Sequence, residues 1–149
     1  ELHPSSPSVY DDIDFLKQKV DAGADHLLSQ LFFDNEKFYR FLERAHIKGI
    51  NVPIEAGIMP ATNKKSSERM VSMTNAVLPT KFTKMMDRYA VSPEAIRDAG
   101  IAYAVDQIVD LVTQGVQGIH LYTMNNPYVA QKIYDAVHSL FDVPPLILE

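Results

Sequence analysis

The apolar positions of this chain change period repeatedly along its length. Ile13, Leu16, Lys17 and Val20 follow helical spacing from Ser8 to Gly23, with Asp11 three residues after Ser8 as in a capping box, and this predicts a first helix. The run HLLSQLFF, His26 to Phe33, reads as a strand. Asp34 then N-caps a second helix with Phe38, Phe41, Leu42 and Ala45 on its apolar face and Gly49 at its close. VPIEAGIMP, Val52 to Pro60, is a short strand with prolines near both ends and a glycine late in the run, as expected of a strand feeding a loop. Asn63 caps a short helix carrying Met70 and Val71, and Leu78 to Tyr89 fits either a short helix or an irregular connection. Ser92-Pro93-Glu94 opens a long helix through Ile96, Ile101, Ala104, Val105, Ile108, Val109 and Val112 to Gly115. GIHLYTM, Gly118 to Met124, is a third strand, and Asn126-Pro127 opens a last helix through Leu140.

Strands that alternate with helices imply parallel βαβ units joined by right-handed crossovers. Near-continuous apolar strands fit a parallel sheet covered on both faces. Three strands admit two architectures, a small doubly wound sheet or part of a (β/α)8 barrel, which takes about 250 residues when whole. Neither GxGxxG nor GxxxxGK[ST] is present, which weighs against the phosphate-binding members of the doubly wound class.

In both architectures ligands bind beyond the carboxyl ends of the strands. Those ends deliver Gln30, Phe32 and Asp34, then Glu55, Gly57, Met59 and Pro60, then His120, Tyr122, Thr123 and Asn125. Amides match paired donors and acceptors while rings stack, so this set suits a flat heterocycle without naming one. Gln30 poses the sharpest question: an amide in the middle of an apolar strand is either a satisfied core group or the wall of a pocket.

Composition narrows the function classes. With 149 residues, 46% hydrophobic content and a net charge of -5, the chain has the make-up of one soluble domain. Its acidity argues against a nucleic-acid surface, and Lys64-Lys65 and the Lys81 to Arg88 region read as solvated helix faces. No apolar stretch is long enough to span a bilayer. The opening ELHPSSPS lacks both an initiator Met and the features of a signal peptide, which suggests a piece of a longer, cytoplasmic chain. Zero cysteines exclude disulfides and thiolate chemistry. His26, His46 and His138 read as strand-start and helix-surface residues. His120 has no second ligand at metal spacing. Glu55 reads as an edge or loop-facing carboxylate.

The combination of DIDFLKQKVDAGADHLLSQLFFD, VPIEAGIMPATN and HLYTMN resembles methylenetetrahydrofolate reductase, an FAD-dependent (β/α)8-barrel family. The likeness runs from ELHP to about HLYTMNN, nearly the whole chain, and corresponds to the C-terminal half of that barrel. The resemblance implies one incomplete α/β domain over residues 1–149, about three parallel strands with flanking helices. It also implies reduction of 5,10-methylenetetrahydrofolate to 5-methyltetrahydrofolate, with NADH or NADPH passing hydride to the flavin. Gln30 falls on the family glutamine that binds the pterin and helps to place the nicotinamide. His3, Asp12 and Lys19, with Gln18 beside Lys19, fall on FAD-binding positions, and Ala24 on a position that packs a helix on the barrel near the flavin.

The chain departs from the family at three folate contacts. Met70 stands where the family has a Phe, Ser66 where it has a Gln, and Asn126 where it has an Arg; a thioether can still pack on a ring. The family's general acid and the aspartate near the flavin belong to the other half of the barrel. Three strands alone would leave two edges and an open inner face. The expected partners are therefore the N-terminal half or another copy, and the family implies a homo-oligomer. The competing reading is a half-barrel assembly or binding module that has kept the fold and lost the chemistry.

Overall fold

The computed structural model describes residues 8–74 and 76–144. The order of elements is α1 (Val9–Asp21), β1 (Leu27–Leu31), α2 (Asn35–Ile47), β2 (Ile54–Ile58), α3 (Lys64–Thr74), α4 (Thr80–Tyr89), α5 (Pro93–Thr113), β3 (Ile119–Leu121) and α6 (Pro127–Val137), and a 3-10 turn over His138–Asp142. The three strands form one parallel sheet in the order β1-β2-β3. This is the α/β architecture expected of part of a (β/α)8 barrel.

Local chemistry sets the helix boundaries. The Ser8 hydroxyl accepts from the Asp11 N–H, Asp34 from Glu36, Ser92 from Ala95 and Asn126 from Val129, so each N-terminus has one of its orphan donors satisfied by a side chain. Gly23, Gly49 and Gly115 follow α1, α2 and α5 with φ of 111°, 80° and 84°, the left-handed conformation that ends a helix without a Cβ clash. The ambiguous Leu78 to Tyr89 segment resolves as α4, which buries Phe82 and Met86 on one face. The last helix is α-helical only to Val137 and tightens into the 3-10 turn beyond it, short of the α-helix to Leu140 that spacing predicts.

The main core lies between one face of the sheet and α2, α5 and α6, where Ala56 and Ile58 meet Ala104, Ile108, Leu111 and Ile133. A second cluster at the carboxyl end of the sheet joins Leu31, Phe33 and Met59 to Phe82 and Met86 of α4 and Ile96 of α5. A third packs α1 on α2 through Ile13, Ala45 and Ile50, and Lys48 pairs with Asp14 across the same seam. Burying each large aliphatic side chain contributes about 1.5–3 kcal/mol.

The expectation of a sheet buried on both faces is corrected. Leu28 is 44% exposed, Gln30 is exposed, and all three residues of β3 are only half-buried. Helices cover one face; the other is covered only towards its carboxyl end, so the alternate residues of β1 look outward.

Helix α5 lies close to the loop after β2. A Cβ on Gly100 would stand 2.0 Å from the Ala61 carbonyl oxygen, so only glycine admits this approach. Gly100→Ala is expected to cost about 3 kcal/mol through forced separation of helix and loop, read as a lower urea midpoint with an unchanged denaturant slope.

Candidate functional site at the carboxyl end of the sheet

The ladder between β1 and β2 contains an irregularity that determines the site. Leu28 pairs with Glu55 and Leu31 with Gly57, so three steps along β1 match two along β2. One extra residue is accommodated at Ser29-Gln30, which is a β-bulge; bulges of this kind re-aim a side chain.

Side chains stitch the bulge in place. The Gly57 N–H donates to Ser29 Oγ at 2.9 Å, and that hydroxyl donates to the Gln30 carbonyl at 2.9 Å. Tyr122 Oη donates to the Ser29 carbonyl at 3.3 Å from β3's side of the sheet. Gly57 is required here: a Cβ would meet Ser29 O at 2.7 Å and Tyr122 Cε2 at 2.9 Å. The result is an exposed amide, Gln30, on a tightly held backbone. Neither alternative read from sequence describes it fully: Gln30 is not a core glutamine, and it stands on the open face rather than inside a closed pocket.

The other strand ends divide between chemistry and support. His120 lies edge-on to Tyr122, with centroids 4.7 Å apart. Beyond β3, Met124 and Asn125 adopt φ of 50° and 60°, and the Asn126 N–H closes the turn on the Thr123 carbonyl at 3.0 Å. Left-handed non-glycine residues are uncommon and collect at functional ends of folds. Phe32 is not a pocket wall: it is 5% exposed and stacks on Phe38 at 4.7 Å beneath the helices. Asp34 is occupied as the α2 cap, and Met59 is buried in the second cluster. Glu55 lies on β2 and its carboxylate faces the loop before β1, with Oε1 3.5 Å from His26 Nε2.

The residues singled out by resemblance fall into two groups. Met70 and Tyr122 both border the cluster that contains Leu31, the neighbour of Gln30. Ser66 lies one turn before Met70 on α3, exposed. Asn126 follows β3, and its Oδ1 accepts from the Val129 N–H at 3.2 Å. Asp12, Gln18 and Lys19 belong to α1. Asp12 and Lys19, seven residues apart, share one helix face, while Gln18 lies about 100° round the axis from Lys19. Ala24 follows α1 and closes its end by donating to the Lys19 carbonyl. His3 lies outside the described residues. The cleft between α3 and α4, lined by Lys64, Ser67, Phe82 and Met86, encloses about 40 Å³, far below the roughly 300 Å³ or more of a small-molecule site. No group of three His, Asp or Glu among the described residues is arranged to hold a metal ion.

Behind the bulge lies a polar network that the sequence pattern does not predict. Tyr103 Oη of α5 donates to the Phe33 carbonyl at 2.7 Å, and Gln107 Nε2 donates to Phe32 O at 3.4 Å and Asn35 Oδ1 at 3.1 Å. Asn35 Nδ2 returns bonds to Gln107 O at 3.1 Å and Asp110 Oδ2 at 2.7 Å, and Tyr39 Oη donates to the same Asp110 oxygen at 2.6 Å. Burial, then the bond to Asp110, holds the Tyr39 hydroxyl well above the usual phenol range. Burial, with Asp34 and Asp106 nearby, pushes Tyr103 up to about 12. The available signal was that Tyr103 and Gln107, four apart, sit among Ala104, Ile108 and Leu111 on the buried stripe of the helix.

The sequence matches the family model for methylenetetrahydrofolate reductase over residues 1–138. The chain belongs to the methylenetetrahydrofolate reductase family. It is 37% identical over 140 residues to the 5,10-methylenetetrahydrofolate reductase of Pectobacterium carotovorum subsp. carotovorum, and 36% identical over 140 residues to that of Escherichia coli (strain K12). Both matches cover 94% of this chain and 46% of the relative. The methylenetetrahydrofolate reductase (NADH) 1 of Arabidopsis thaliana is 36% identical over 134 residues, 84% of this chain and 23% of its own length. The chain therefore spans about half the length of the bacterial reductases it matches.

Two measurements bear on this geometry. Ser29→Ala leaves the Gly57 N–H without its acceptor and is expected to destabilise the fold by about 1–3 kcal/mol, seen in chemical denaturation. Tyr103 has a folded-state pKa of about 12 against 10.0 for a free phenol. Its contribution is thus complete below about pH 10 and is lost as pH rises towards 12. The slope of stability against pH over that window is expected to be shallower in Tyr103→Phe.

Proposed function

We propose that this chain supplies the C-terminal half of a flavin-dependent reductase barrel. In this reading the barrel converts 5,10-methylenetetrahydrofolate to 5-methyltetrahydrofolate with NADH or NADPH as hydride donor. The observation that carries the reading is the bulge: it presents an exposed amide from a rigid backbone at the carboxyl end of a parallel sheet, the end at which barrels bind their ligands.

The residues available for FAD fit the group chemically. Asp12 offers acceptors for ribose hydroxyls, and Lys19 offers a cation for phosphate on the same face of α1, with Gln18 as a further donor. Bound flavin supplies hydride transfer, a chemistry that no side chain in this sequence provides. Gln30 presents a donor and an acceptor side by side, which suits the paired acceptor and donor of a pterin edge, and the same amide can meet a nicotinamide carboxamide. Tyr122, whose hydroxyl reaches the Ser29 carbonyl, and His120, edge-on to Tyr122, offer ring surfaces, and Met70 offers a polarizable contact to the aromatic part of folate. No candidate general acid is assigned within these residues. On this reading the acid comes from the other half of the barrel, and residues 1–149 are one incomplete domain that functions when joined to it, in an assembly that the family resemblance makes homo-oligomeric and cytoplasmic.

A second reading, a non-catalytic half-barrel that assembles or binds, draws on Asn126, whose oxygen caps α6 where the family resemblance expects an arginine on folate. The two readings separate on flavin. The purified chain, alone and mixed with the N-terminal half of the barrel, is to be examined for visible flavin absorbance, for bleaching by NADH and for reoxidation by methylenetetrahydrofolate. The reductase reading expects an inactive chain alone and a flavin-bearing complex that cycles. In that complex Gln30→Ala is expected to raise KM for the folate by about tenfold or more with flavin content intact. A colourless mixture that never takes up FAD would select the binding module.

A further inference from the structure

The Gln30 side chain is exposed, so packing does not aim it; its direction is set by the backbone that carries it. On the strand side that backbone is held by Ser29, Gly57 and Tyr122. On the other side the chain leaves the sheet after Leu31, the last residue of β1 to pair with β2. The carbonyls of Phe32 and Phe33 then meet donors from α5, Gln107 Nε2 at 3.4 Å and Tyr103 Oη at 2.7 Å.

We propose that Tyr103 and Gln107 are positioning residues for Gln30: by gripping the Phe32 and Phe33 carbonyls they fix the exit of the bulge and so the place of the amide that receives the substrate. This rests on the reading of Gln30 as the pterin ligand. Helix α5 is a suitable anchor because Gly100, one turn before Tyr103, sits directly on the Ala61 backbone. The same helix therefore references the end of β1 to the end of β2. Asn35 extends the grip, since it accepts from Gln107 Nε2 and donates to Gln107 O.

The energetic pattern fits positioning better than simple stabilisation. Gln107 is 6% exposed, and its Oε1 has no partner among the described residues. A buried orphan acceptor carries a desolvation cost that a methionine of similar shape would avoid. Methionine would in turn leave the Phe32 carbonyl and Asn35 Oδ1 without this donor, so the amide is retained, orphan oxygen included, for the donor it supplies to the loop exit.

The test uses the flavin-loaded protein with its barrel complete. Tyr103→Phe and Gln107→Met, each alone and each combined with Gln30→Ala, are compared by KM for methylenetetrahydrofolate, kcat, flavin content and Tm. Each clamp variant is expected to raise KM by about 3- to 10-fold with flavin content unchanged. Neither should add to the effect of Gln30→Ala, because a truncated amide leaves nothing to position. Hydrogen exchange at the Gln30 and Leu31 amides should quicken in both clamp variants whatever happens to Tm. Clamp variants that lower Tm but leave KM and local exchange unchanged would overturn the proposal, as would effects that add fully to Gln30→Ala. If Gln30→Ala itself leaves KM unmoved, the reading of Gln30 fails and the clamp's role falls with it. An effective Gln30→Ala beside inert clamp variants refutes the clamp alone.

Discussion

The packing of α5 against the sheet is the contact on which the other elements depend. This helix, 21 residues long, buries Ala104, Ile108 and Leu111 against Ala56 and Ile58 of β2, the central strand of the sheet. Its N-terminal part touches the loop beyond β2 at Gly100, its middle hydrogen-bonds the loop beyond β1, and Ile96 joins the cluster under α4. The two connections that follow β1 and β2, and the cluster under α4, are thus tied to one rod. A small apolar patch at the centre lets the rod approach closely, and close approach is what allows short side-chain hydrogen bonds to reach loop carbonyls.

The electrostatics are subordinate to that packing. Lys64 bonds Asp87 at 2.7 Å and Lys81 bonds Asp106 at 3.1 Å, but these pairs are exposed and screened by solvent, and contribute little to stability. They orient α3 and α4 on the body of the fold without holding it together. The Asp110 group differs in kind. It accepts from both Asn35 and Tyr39, so one carboxylate on α5 gathers the first two turns of α2.

Much of this was legible in the sequence because the relevant physics is local. Ser8, Asp34, Ser92 and Asn126 announce helix starts, and Gly23, Gly49 and Gly115 announce helix ends, since capping and left-handed φ depend on the residue itself. The parallel order follows from alternation of element types. What could not be read depends on contacts distant in sequence. HLLSQLFF shows no sign of a bulge, because the extra residue exists only relative to β2. The exposure of Leu28 follows from which faces acquire helices. Tyr103 and Gln107 lie about 70 residues from their acceptors, and on α5 they read as interruptions of an apolar stripe. Phe32 reads from spacing as a pocket wall, but it is buried under the helices for the same reason: beyond the bulge, counting alternate residues along β1 no longer follows the faces of the sheet.

That last point extends beyond one residue. The bulge acts as a phase shift in the strand: positions before Ser29 and after Gln30 obey the same inward and outward alternation only when counted separately. A length change of a single residue at this point would restore a regular ladder, keep Leu27 and Leu31 in their clusters, and remove the presented amide. The inward and outward pattern of β1 and the direction of the Gln30 amide are thus set on different scales, the first by the whole strand and the second by the single extra residue that breaks its register.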